Sequence, residues 1–92
     1  MDITEIRIFP SKIPDSKIKA FVSATFDAVF VVHGIKIISG FRGLFISMPG
    51  RKMENGEFKE IAHPITGPFL EKLQARILRA YEDELSRPEN QV

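Results

Sequence analysis

The side chains of this 92-residue chain best suited to chemistry are cations. Lys72, Arg76 and Arg79 follow one another at steps of four and three, in a stretch with helical apolar spacing. At about 100° per residue they fall within about 60° of one another, roughly opposite the apolar stripe. Three cations in line on a wet helix face can follow a phosphate backbone. Asp83 lies on the same stripe, and Arg79 has Glu82 and Asp83 within intrahelical reach, so an ordinary solvated face is the competing reading. Arg51 and Lys52 form a second group, in a polar loop after Pro49-Gly50. Long cationic side chains held out in water reach phosphates, and an arginine can also read guanine with both arms of its fork. A charge pair that protects a sheet edge is the alternative.

Other chemistries lack their residues. The chain has no cysteine, which excludes a disulfide scaffold, a thiolate zinc site and a cysteine nucleophile. His33 and His63 are far apart and lack the close spacing of zinc ligands, so each reads as a hydrogen-bonded structural histidine. Ser23, Ser39, Ser47 and Thr66 sit in no nucleophile elbow, and Gly40-Phe41-Arg42-Gly43 is a turn rather than a phosphate loop. The expectation is a protein that is not an enzyme, with no cofactor, metal or small-molecule substrate. Eight Phe and one Tyr could stack on bases where exposed. Most should fill the core, and Phe41 and Phe58, beside turns, are the two to examine.

Net charge is only +1, but it is unevenly spread. No acidic residue lies between Asp27 and Glu54, a window that holds Lys36, Arg42, Arg51 and Lys52. From Tyr81 onward, Glu82, Asp83, Glu84 and Glu89 outweigh Arg87. A local basic surface is therefore compatible with a near-neutral total. The uncharged apolar stretch Ala28 to Ile35 is too short to span a bilayer. Met1 to Glu5 lacks a basic and apolar leader pattern, so no secretory signal is expected.

The elements that must position these cations are legible in outline. Ile3 to Phe9 alternates as a first strand stopped by Pro10, and Pro14-Asp15-Ser16 reads as a turn. From Lys17, the residues Ile18, Ala20, Val22, Ala24 and Phe26 share one face of a half-buried strand, with Phe21 as the exception on the other. Val29 to Ile38 is almost wholly apolar, which suits a central strand or one at a subunit interface. Leu44 to Met48 follows a glycine-bounded turn, and Phe58 to Ala62 returns after Asn55-Gly56. Thr66 or Gly67 caps a helix with Pro68 in its first turn, running to about Ser86. Leu70, Leu73, Ile77 and Tyr81 make its buried face. Five strands then one helix predict an α+β fold: a small antiparallel sheet with one C-terminal amphipathic helix on one face. Residues 1–86 form one domain in this reading, and 87–92 a flexible tail. One helix covers such a sheet incompletely, so a homodimer with Val29 to Ile38 near the interface is expected.

Three segments carry a family resemblance: Phe30 to Lys36, Gly43 to Pro49 and Asn55 to Ile65, joined by the opening Met1 to Arg7. They resemble the signature of the bacterial SpoVG family, the stage V sporulation or septation proteins, over roughly residues 1 to 80. The resemblance implies a cytoplasmic bacterial protein that influences septum formation and, in spore formers, sporulation. It further implies a homodimer that binds DNA, and in some members RNA, as a regulator of gene expression. Arg51-Lys52 matches the loop implicated in that binding. The chain departs from the family pattern at Gly34, where an acidic residue is usual, and in Ser39 to Arg42, where the turn is usually more acidic or amide-rich. The leading reading is a dimeric nucleic-acid-binding regulator that uses Arg51, Lys52, Lys72, Arg76 and Arg79. A protein-interaction factor of the division machinery, without nucleic-acid contact, is the alternative.

Overall fold

The computed structural model describes residues 1–13 and 15–86. Pro14 of the expected turn and the expected 87–92 tail lie outside the described residues. Four strands, β1 (Ile3–Pro10), β2 (Ile18–Phe26), β3 (Phe30–Gly40) and β4 (Gly43–Ser47), form an antiparallel meander in the order β1-β2-β3-β4. A separate two-stranded ribbon pairs β5 (Gly50–Lys52) with β6 (Phe58–Glu60), and α1 (Gly67–Leu85) closes the chain. The fold is α+β, as the order of elements predicts.

One face of the meander is the core. Ala20, Val22, Ala24 and Phe26 of β2 are buried beside Ile35 and Ile37 of β3, and Leu73, Ile77 and Tyr81 of α1 pack on them. The small alanines let the helix approach closely, and the branched residues fill the space between. α1 packs on β1 and β4. It also ties down the edge strand: the Ile46 amide donates to Gln74 Oε1 at 3.1 Å, which satisfies a backbone group that no neighbouring strand reaches. Thr66 is the N-cap in extended conformation, and its side chain makes no capping bond. Pro68 sits in the first turn, where a missing amide costs nothing.

Several expectations need correction. The strands number six in two sheets, not five in one. Pro49 cannot donate to a ladder, and the chain leaves the meander there. Arg51 and Lys52 consequently lie on a short strand rather than in a loop. Pro10 ends β1 from inside, which an edge strand tolerates. Leu70 is 40% exposed and not part of the buried face; Phe69 takes that place, 6.0 Å from the Phe26 ring. In β3 only Ile35 and Ile37 are buried, while Val29, Phe30 and Val31 are exposed. The cause is a bulge. Val22 pairs with Ile35 but Ala24 with Val32, so Ser23 faces both His33 and Gly34. Gly34 takes φ +82°, which a residue with a side chain adopts only with strain. The extra residue reverses the alternation, so Val32 turns inward and Val31 outward.

Candidate nucleic-acid interface

The ribbon brings together cations that lie far apart in sequence. Its turn is closed by Gly56 N–H donating to the Met53 carbonyl at 3.0 Å and by Glu57 N–H donating to Asn55 Oδ1 at 3.0 Å. That turn sets the register Arg51 opposite Lys59 and Lys52 opposite Phe58. Arg51 and Lys59 therefore share one ribbon face as directly opposed like charges, an arrangement that costs stability unless an anion intervenes. Glu60, on the other face with Lys52 and Phe58, is the nearest acidic strand residue. Arg51, Met53, Lys59, Glu60 and Ile61 line one shallow depression, and Arg51 and Lys52 line a second one with Glu54 and Asn55.

Lys72, Arg76 and Arg79 are all exposed on α1, away from Leu73 and Ile77. Arg51 and Lys52 are exposed too. Among the described residues none of the five pairs with a carboxylate, and Arg79 does not take up Glu82 or Asp83. Among the described residues an ion pair joins Arg7 and Glu5 at 3.1 Å, on β1. The five cations make two groups, one on the ribbon and one on the helix. The helix group ends in the acidic turn Glu82, Asp83 and Glu84.

Sequence reasoning left out Lys59, and it tied neither Lys36, counted in the basic window, nor Phe21 to this surface. Lys59 follows from the Asn-Gly turn once the register is counted. Lys36 Nζ stands 5.9 Å over the Phe58 ring, a cation–π contact. Phe21, read as an exception to its strand's pattern, is the residue paired with Lys36. Both histidines are exposed. His33 Nδ1 and Ser23 Oγ share a hydrogen bond of 2.8 Å, and His63 Nδ1–H donates to the Pro64 carbonyl at 3.0 Å. Among the described residues no group of three potential ligands is placed to hold a metal, and no helix is long and apolar enough to cross a membrane.

Comparison with known proteins gives one consistent result. The family model described as SpoVG matches residues 1–83. Relatives named "Putative septation protein SpoVG" include one from Clostridium beijerinckii, 55% identical over 87 residues, covering 94% of this chain and 93% of the relative. Another, from Clostridium acetobutylicum, is 57% identical over 83 residues, 89% and 85% of the two chains. A third, from Treponema denticola, is 49% identical over 82 residues, 89% and 87%.

Proposed function

The chain belongs to the SpoVG family, and from that premise we propose that it is a bacterial regulator of septation, and of sporulation in spore formers, that acts by binding nucleic acid as a cytoplasmic homodimer. The observation that carries the binding is the set of exposed cations without carboxylate partners, Arg51 and Lys52 on β5 and Lys72, Arg76 and Arg79 on α1. Exposed cations without carboxylate partners are what a polyanion neutralises, with release of its counterions. The helix cations would touch backbone phosphates. Arg51, reinforced by Lys59, is the candidate for contact with a base.

Mobility shifts on genomic fragments and total RNA across a salt series test the reading. The wild type should bind, with an affinity that falls steeply as salt rises. Arg51→Ala with Lys52→Ala should reduce the log–log salt slope by about 1 per lost contact and leave the melting temperature nearly unchanged. A folded wild type that binds neither DNA nor RNA at low salt overturns the proposal and leaves a protein-interaction role in septation.

A further inference from the structure

The face of the meander opposite the helix carries a row of rings, a cation and a hydroxyl. Phe9, Phe21, Lys36 and Ser47 are directly opposed on successive strands. Neighbouring strands lie about 4.8 Å apart, so Phe9 to Lys36 spans roughly 10 Å. Phe9, on the edge strand β1, is 52% exposed, and Phe21, on the inner strand β2, is 43% exposed. Neither ring makes an aromatic contact among the described residues. Phe58, 51% exposed, extends the row from the ribbon. Lys36 Nζ lies over its ring. Gly50 makes room for it, since a β-carbon there would stand 2.7 Å from Phe58 Cζ. Lys52, opposite Phe58, puts a second cation at that end.

We propose that this row of Phe9, Phe21 and Phe58 with Lys36 and Lys52 is a stacking platform for single-stranded nucleic acid. The proposal rests on the nucleic-acid reading above and names the strand form it favours. Bases in a duplex hide their faces, and only an unpaired strand can lay two or three on a sheet's aromatics. Charge selects this occupant over a second copy of the chain. A second copy seated on the row would bring cations into an apolar interface without carboxylates to meet them, because the row's own acids are few: Glu5 is held by Arg7, and Glu60 stands at the ribbon end. A polyanion with flat apolar bases satisfies the rings and the lysines together.

The chain has no tryptophan, so Phe21→Trp and Phe58→Trp each install a single reporter. Twelve-residue oligo(dT) and oligo(U) should quench both reporters, and a duplex of the same length should not. Phe21→Ala and Phe58→Ala should each weaken single-strand binding by about 5- to 150-fold, with the log–log salt slope unchanged because no phosphate contact is lost. Phe58→Tyr should restore most of the affinity. Unquenched reporters in a protein that still binds nucleic acid overturn the platform and leave the regulator reading standing. Alanine variants that bind as the wild type does but lose the dimer mass in light scattering assign the row to a second copy, which also overturns it. A wild type that binds no strand of any kind defeats the regulator reading first, and the platform with it.

Discussion

The two faces of the meander are cut from alternate residues of the same strands, yet they are built to opposite ends. Inward, β2 presents Ala20, Val22, Ala24 and Phe26, all buried under α1. Outward, the same strand presents Lys19, Phe21, Ser23 and Thr25, none of them buried. The inner set is wholly apolar and, apart from Phe26, small or branched, and its shape fits a helix. The outer set mixes rings, hydroxyls and cations, which fits water or a polar ligand better than another protein layer. Alternation therefore says which residues share a face. What covers that face is decided by the shape and polarity of the set.

The largest effect that tests this contrast comes from one charge placed on either face of β3. Ile37 is fully buried, and Val31, on the other side of the bulge, is 44% exposed. Ile37→Asp should prevent folding, because an unpaired carboxylate in the core has neither partner nor water. Val31→Asp should leave the domain folded by circular dichroism. If β3 lies near the dimer interface, light scattering should then show the dimer of Val31→Asp dissociating to a 10.4 kDa species. Equal loss of folding in both variants would mean that the two faces do not differ as described.

β3 is also where the sequence was hardest to read. In β2, polar residues on one side and apolar residues on the other make the face assignment possible from spacing alone. In β3, Phe30, Val31, Val32, Ile35, Ile37 and Ile38 are apolar on both sides, so spacing carries no contrast. The bulge at His33-Gly34 then shifts the phase by one residue, and nothing in a period of two announces it. The helix was legible because Leu73, Ile77 and Tyr81 repeat at one angle, and the error there was confined to Leu70, at the end where α1 is entered. The five site cations were legible as exposed, since charge rarely goes inside. The place of their neighbours Lys59 and Lys36 beside them was not legible. Each becomes part of a surface only through register, Lys59 by the ribbon's pairing with Arg51 and Lys36 by the ribbon's placement over β3.

A second test contrasts two leucines on α1. Leu73 is fully buried and Leu70 is 40% exposed. Leu73→Ala should cost about 2–5 kcal/mol, the loss of buried methyl groups plus the cavity they leave. Leu70→Ala should cost well under half of that, because much of its side chain already meets water. Urea denaturation with a common m-value measures both. Equal costs would mean that α1 sits about one residue step rotated from the position in which Leu73 and Ile77 face the sheet.

The smallest effect is expected at Lys72, the residue before Leu73 and on the exposed face of the helix. Its side chain is exposed, meets no carboxylate among the described residues, and belongs to a helix whose stability comes from packing on β1 and β4. Lys72→Ala should therefore move the urea-derived stability by no more than about 0.5 kcal/mol, in either direction, since alanine is at least as good a helix former. The same variant should weaken nucleic-acid binding uniformly across sequences and reduce the salt slope by about 1, the behaviour of a backbone phosphate contact. The two readouts separate what the helix does for the fold from what it does for a ligand. A stability loss comparable to that of Leu73→Ala would place Lys72 in the packing. An unchanged salt slope would remove the helix stripe from the interface and leave Arg51, Lys52 and Lys59 of the ribbon to carry the phosphate contacts.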